Sequence, residues 1–254
     1  MDVRRIAVFD SATAAYTQAF QTFLAHTDQK DQAMQWLANE VQKLPRRGVA
    51  IDAGAGTGKL TAWLLEHFSR VIGVEPNPTL ADAYRATCPG TPLLQQTILD
   101  AQPEAAADFV LCSHVFYYLP RETWVDNLLR LISWLAPGGV LAITIQNGQT
   151  DCMRMLDHFL GGRFPLGTLA EAAQLAPGGP YQVRLDTVPA WIRTKDLPTA
   201  CAIAEFMLNL LPMENPPEWD AVEAYVAEHF AQPGGGYAFS CHQDFLRVEK
   251  AAET

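Results

Sequence analysis

The sequence predicts an α/β protein: a seven-stranded, mostly parallel sheet with helices on both faces, an antiparallel edge and an added helical segment. Three observations carry this expectation. The decapeptide Val49-Ala-Ile-Asp-Ala-Gly-Ala-Gly-Thr-Gly58 leads an apolar strand into a glycine turn and a helix. Val71-Ile-Gly-Val-Glu-Pro76 is a second apolar strand that ends in one acid. Short apolar runs then alternate with amphipathic stretches as far as residue 146, and strands joined by crossover helices require a parallel sheet covered on both faces.

Between residues 11 and 43, Tyr16, Phe20, Phe23 and Leu24, then Met34, Leu37, Ala38 and Val41, recur at the helical spacing of three and four, with a turn at 26–30. Residues 48–53 read as the first strand, 59–69 as a helix, 71–75 as the second strand and 78–87 as a helix opened by Pro78. A weak third strand is expected at 93–97. Residues 108–112 form a short buried strand leading into Ser113-His-Val-Phe-Tyr-Tyr-Leu-Pro120. An amphipathic helix at 122–135 is stopped by Ala136-Pro-Gly-Gly139, and 140–146 is a further apolar strand. Then come a helix at 152–160, a Gly/Pro-rich stretch at 161–167, a long strand at 181–193, helical runs at 198–211 and 218–230, and a final strand at 237–248 introduced by Gly234-Gly-Gly236. The last two strands supply the antiparallel edge. The expected organisation is an N-terminal helical cap at 1–45 over the site, a core at 46–194 and 234–254, and a helical insertion at 195–233 acting as a lid on the substrate side.

With 254 residues, 49% of them hydrophobic, the chain can bury one full core. The apolar start is broken at once by Asp10 and Ser11, unlike a secretory signal. No apolar run approaches the ~20 residues of a membrane span. Five scattered cysteines without a C-x-x-C pair argue against a disulfide framework or a metal site and suit a reducing cytoplasm. The formal net charge of −10 opposes binding to nucleic acid, which needs basic surface to neutralise phosphates. It suits small cationic or neutral ligands better. The expected partner is a small molecule, with the chain itself a monomer or weak homodimer.

The glycine turn discriminates among ligands. A phosphate-binding P-loop fails because position 53 is Ala and Leu60 follows Lys59. A dinucleotide fingerprint, G-x-G-x-x-G, fails because the third glycine, Gly58, comes one residue early after Gly54 and Gly56. Asp52 just before the turn suits a ligand that carries a positive ammonium rather than pyrophosphate. Asp-x-Gly-x-Gly-x-Gly at the end of a first strand resembles the first motif of class I S-adenosylmethionine (SAM) dependent methyltransferases. The Leu-x-Pro-Gly-Gly-x-Leu turn at 135–141 is also similar to theirs. The resemblance implies a Rossmann-like fold, SAM as cofactor and S-adenosylhomocysteine (SAH) as its product.

A ligand in an open α/β sheet lies outside the carboxyl ends of the strands. Glu75 stands there as the ribose ligand, beside Pro76. Thr97 and Ile98 would flank the adenine, and Cys112 and Ser113 would present main-chain groups to the methionine part. His114, directly after the fourth strand, is the candidate catalytic residue together with Tyr118; it could accept a proton, hold the substrate or be a satisfied strand-end histidine. Tyr117, Tyr118 and Gln146 would line the acceptor pocket.

Several segments resemble the histamine N-methyltransferase-like family. They are Phe9-Asp-Ser, Tyr16, Phe20, Phe23-Leu24, His26-Thr27 and Met34-Gln35, then Val74-Glu-Pro76, His114-Val-Phe-Tyr-Tyr118, and Ala238-Phe-x-x-x-x-x-Phe-Leu-x-Val-Glu249. The resemblance implies Tyr16 as a cofactor contact and Gln29, His114 and Cys241 near the positions that hold an amine. His114 replaces the family's glutamine and Cys241 stands near its asparagine, so the implied acceptor is a small amine or nitrogen heterocycle other than histamine. The expected reaction is N-methylation by in-line displacement. An O- or carboxyl-methyltransferase is the alternative, since fold and cofactor do not fix the acceptor atom. A SAM-binding sensor or inactive homologue is a third reading.

Overall fold

The computed structural model describes residues 4–9, 13–162, 164–211 and 213–252. Asp10 and Ser11 of the N-terminal motif lie outside the described residues. The chain divides into two compact units. One comprises Trp36–Ile145, Leu166–Asp186 and Asp244–Thr254; the other comprises Met1–Gln35, Gln146–Pro165 and Thr187–Gln243.

In chain order the elements are α1 (Ala14–His26), α2 (Gln29–Lys43), β1 (Val49–Ala53), α3 (Lys59–Leu65), β2 (Arg70–Val74), α4 (Pro78–Thr87), β3 (Leu93–Leu94) and β4 (Ala107–Ser113). These are followed by α5 (Trp124–Ser133), β5 (Leu135–Gln146), α6 (Asp151–Leu160), α7 (Gly167–Gln174), β6 (Tyr181–Val188), β7 (Trp191–Thr194), α8 (Leu197–Leu208), α9 (Trp219–His229), β8 (Tyr237–Ser240) and β9 (Gln243–Lys250).

The large sheet has seven strands in the order β3-β2-β1-β4-β5-β9-β6. Strands β3, β2, β1, β4 and β5 are parallel. β9 runs against both neighbours. Asn147 donates to the His242 carbonyl at one end of the β5/β9 pair, and Gly138 donates to that of Ala251 at the other. Likewise Cys241 bonds Ala190 and Ala251 bonds Pro180 across the β9/β6 pair. The antiparallel pairing therefore lies between β9 and the edge strand β6, the last two strands, as the sequence predicts.

Register positions the site. Ala53 lies opposite Val74 and Asp52 opposite Leu111, so the glycine turn, the Glu75 segment and the end of β4 leave the sheet at one level. Strands β1, β2 and β4 are almost wholly buried, as continuous apolar runs in a parallel sheet should be.

The structure corrects several boundaries. The strand expected at 181–193 is two strands, because Pro189 has no N–H to donate and interrupts the ladder. β7 instead joins β8 in a separate two-stranded sheet. The strand expected at 237–248 also breaks, at Cys241 and His242, where the His242 ring turns its Nδ1 onto the Ala190 backbone. Helix α3 ends at Leu65 rather than 69 because the chain turns to bury Phe68, stacked 5.8 Å from Phe109. The third strand shrinks to Leu93–Leu94. β5 starts at Leu135, a register irregularity opposite residues 107–109 accommodating its Pro-Gly-Gly segment. Helix α7, directly after the Gly/Pro-rich stretch, was not expected.

In the sheet-containing unit, Trp36 of α2 stacks on Phe245 with 4.1 Å between ring centroids and donates to Asp186. Glu40, one turn further, is almost fully buried and accepts from Lys43, Arg184 and Arg247, which holds its carboxyl below the usual range despite burial. The other unit has its own core, built from Phe23, Met155, Ile203, Val226 and Phe239 of its helices and small sheet. Burying each such side chain stabilises by ~1.5–3 kcal/mol. All five cysteines are free, buried thiols. No described helix is long and apolar enough to cross a membrane.

Candidate active site

The strand order reverses between β1 and β4, and open α/β sheets bind ligands at such switch points. The glycines there do different work. Gly54 has φ +79°, and a Cβ on it would meet Val115 Cγ2 at 2.2 Å, so the residue after His114 seats directly on the loop. Gly56 has φ +55°, yet a Cβ on it would meet nothing within 4 Å. Its bare backbone opens into space that a ligand can fill. A Cβ on Gly58, left-handed at the start of α3, would stand 3.1 Å from Tyr84 and Cys88, so this glycine serves packing.

Glu75 is buried at the end of β2, and both its oxygens are oriented by main chain. One accepts from the Gly56 amide at 2.9 Å and the other from the Asn77 amide at 2.9 Å. A carboxylate offers about four lone-pair sites, so this one remains able to accept from a diol. Asn77 in turn caps α4, accepting from Thr79 and Leu80.

Four of the amides of residues 54–58 are committed to the protein's own acceptors. Those of Gly54 and Ala55 go to the Val74 carbonyl, that of Gly56 to Glu75 and that of Gly58 to Ala55. A pyrophosphate site depends on amides aimed at the ligand, and here two carboxylates stand nearby. The residues present fit the adenosine of SAM, with an open glycine beside an oriented acid, and do not fit a dinucleotide.

Asp52 is buried and accepts from Thr61 Oγ1 at 2.6 Å. Burial lifts its carboxyl to about 6 against the opposing effect of the Thr61 bond, with Glu75 adding to the rise. Thr97 is exposed and bonds Asp100, shaping the turn that buries Ile98. Pro76 is exposed ahead of α4.

At the end of β4, Ser113 pairs with Thr144 of β5. His114 follows at φ +59°, left-handed and the sole non-glycine with positive φ among the described residues. Its amide donates to the Thr144 carbonyl at 2.8 Å. The imidazole stacks on Tyr117 at 5.8 Å and 20°, with Nδ1 3.3 Å from the Tyr117 hydroxyl. Desolvation pushes its pKa down to about 4, so the ring is neutral. Tyr117 is buried, whereas Tyr118 is 68% exposed and meets Tyr117 edge-on.

The other predicted residues belong to the second unit. Tyr16 of α1 packs on Phe20 and Phe206, and burial raises its pKa. Gln29 donates from Nε2 to the Cys241 carbonyl at 2.6 Å. The Cys241 thiol contacts Thr27 at 3.4 Å, and burial pushes it up to about 12. Gln29 and Cys241 thus bind one another's segments. Gln146 is buried at the end of β5.

Sequence reasoning placed Asn77 and Val115 only within the strand-end segments 75–77 and 113–118, with no role of their own, and did not single out Thr61. An N-cap asparagine before Pro78 was a readable signal for Asn77; the other two act through contacts that no spacing encodes.

Fold, loop and acid together define a class I SAM-dependent methyltransferase. Residues 23–197, more than half of the chain, match a family described as a methyltransferase domain, and the chain belongs to that family. It is similar to trans-aconitate 2-methyltransferases. That of Rhodopseudomonas palustris (strain BisB18) is 28% identical over 208 residues, covering 76% of this chain and 80% of the relative. That of Rhizobium leguminosarum bv. trifolii (strain WSM2304) is 29% identical over 229 residues, covering 83% and 80%. Among solved structures, the fold matches a protein of Bacillus halodurans C-125 with TM-score 0.62, 12% identity, and coverage of 88% of this chain and 100% of that one. It also matches a SAM dependent methyltransferase from Archaeoglobus fulgidus with TM-score 0.52, 15% identity, and coverage of 87% and 94%. The expected histamine N-methyltransferase-like affiliation finds no support in these relatives.

Proposed function

We propose that the protein transfers a methyl group to a carboxylate oxygen of a small organic acid. The observation that carries this reading is the similarity to trans-aconitate 2-methyltransferases over 80% of their length. It replaces N-methylation, the first expectation, with the alternative that the same scaffold allows. The amine reading leaned on Gln29 and Cys241, and the Gln29 side chain is engaged with the Cys241 backbone.

In this reading Glu75 accepts the ribose hydroxyls, with Gly54, Gly56, Gly58 and Pro76 framing it. Thr97 and Ile98 flank the adenine, and Ser113 serves the methionine part. Asp52, held by Thr61, contributes negative charge that suits a cationic ligand. The roles of Tyr16 toward the cofactor, and of Tyr117, Tyr118 and Gln146 toward the acceptor, belong to the same proposal. SAM supplies an electrophilic methyl on a sulfonium. The protein's task is to aim an anionic oxygen at it, and orientation contributes ~7–11 kcal/mol, against the roughly 3–5 that a general base supplies. A carboxylate needs no base.

The test is transfer of labelled methyl from SAM in the presence of trans-aconitate and a panel of small acids and amines. The expected product releases its label as methanol in alkali, as a methyl ester does. A base-stable label would overturn transfer to a carboxylate, and no label in any product would overturn turnover on these classes.

A further inference from the structure

The contact between His114 and Tyr117 bears on what the histidine does. Tyr117 is buried, its ring is stacked nearly parallel to the imidazole, and its hydroxyl lies 3.3 Å from Nδ1. A phenol is a better hydrogen-bond donor than acceptor, and an imidazole nitrogen without a proton is the better acceptor of the two groups. A hydroxyl that donates to Nδ1 leaves the ring proton on Nε2, since the tautomer is set by the bond that the other nitrogen makes.

We infer that Tyr117 fixes His114 in its Nε2-protonated tautomer, making His114 a hydrogen-bond donor that holds the acceptor oxygen rather than a base that removes a proton. The left-handed backbone at His114 supports a positioning role. A non-glycine residue in that region is strained and persists only where its surroundings over-determine it. Here the Thr144 carbonyl and the Val115 contact with Gly54 fix the turn from both sides. The low pKa agrees, because a ring that resists protonation is a poor proton acceptor.

The role toward an acceptor rests on the carboxylate reading above, and the chemistry balances without a base. The acceptor oxygen forms the O–CH3 bond with its own lone pair, the S–CH3 bond breaks with its pair left on sulfur, and no proton is released. Transfer to a protonated amine, by contrast, must shed a proton, and would give a histidine at this place a different task.

Two measurements separate the parts. Long-range proton–nitrogen correlation of the histidine rings in the SAH-saturated protein at pH 7 reports the tautomer directly, with His114 assigned by its loss in His114→Asn. The expected result is a neutral ring protonated at Nε2, with a mixed tautomer in Tyr117→Phe. An imidazolium, a ring protonated at Nδ1, or a Tyr117→Phe spectrum identical to wild type would overturn the inference. The second measurement is kcat/KM with trans-aconitate. Asn tolerates the left-handed backbone and keeps a donor but cannot act as a base. His114→Ala should lose ~10- to 100-fold, and His114→Asn clearly less, with SAH affinity near wild type in both. Equal losses would overturn the donor role. If wild type leaves trans-aconitate unmethylated, the acceptor reading fails for that acid, while the nitrogen spectra still decide the tautomer.

Discussion

The carboxyl ends of β1 and β2 and the carboxyl end of β4 stand at one level of the sheet and are built on opposite principles. At β1 and β2 the left-handed positions belong to glycines, the amides of Gly54, Ala55 and Gly56 bond to Val74 and Glu75, and one acid is oriented by two main-chain donors. At β4 the left-handed residue is a histidine, held by a neighbouring strand and by aromatic packing. The first region achieves precision with residues that adopt the required backbone without strain. The second accepts strain to place a ring. An adenosine looks alike in every SAM enzyme while acceptors differ, so the cofactor end should reduce to a short pattern and the acceptor end should not.

The contrast can be broken within the glycine loop itself. Gly54→Ala adds a Cβ that collides with Val115 and is left-handed besides, so overpacking of ~1–3 kcal/mol adds to ~1–2 kcal/mol of backbone strain. Gly56→Ala incurs only the strain, because its Cβ meets nothing. Denaturant unfolding should therefore show Gly54→Ala less stable than Gly56→Ala by ~1–3 kcal/mol, while calorimetry shows SAH binding weakened in Gly56→Ala. Equal stabilities would refute the division of labour.

Asp52 offers a pH-dependent test. Its folded pKa of about 6 exceeds the ordinary carboxylate value, so between pH ~4 and ~6 the native state holds a proton that the unfolded chain has lost. Its contribution to stability therefore falls as pH rises through that window and levels off above it. Measured as wild type minus Asp52→Asn, the difference should shift against wild type by up to roughly 3 kcal/mol across the window. A flat difference would contradict the desolvated acid.

Glu75→Ala removes charge-assisted hydrogen bonds worth ~1.5–3 kcal/mol each, and SAH affinity should fall at least ~10-fold. The smallest effect is expected at β4. His114→Gly relieves ~1–2 kcal/mol of strain but frees the unfolded backbone by ~0.5–1, so thermal stability should rise by no more than ~1.5 kcal/mol while turnover falls. A marked loss of stability would mean that the ring, rather than the backbone, anchors the turn.

The same contrast explains what could be read from the residues alone. Strands β1, β2, β4 and β5, the glycine turn, Glu75 and the antiparallel edge were legible because burial on both faces writes continuous apolar runs and because a turn demands glycine. Pro189 was visible as a residue that cannot donate, yet the apolar residues on either side of it read as one strand. Val115 on Gly54, Thr61 on Asp52 and the Gln29 bond to Cys241 are contacts across 61, 9 and 212 positions. No period records those. The resemblance to the histamine N-methyltransferase-like family misled for a related reason: several of its motifs sit in α1 and β9, where Phe23 and Phe245 are buried and serve packing.

The central claim is that the β1/β2 end is a site for SAM rather than for a phosphate-bearing nucleotide. Isothermal titration of the purified protein with SAH, run beside the same titration with NAD, tests it most directly. Saturable binding of SAH at one site, weakened at least ~10-fold by Glu75→Ala and with no heat from NAD, is the expected result. Binding of NAD with SAH silent would contradict the account.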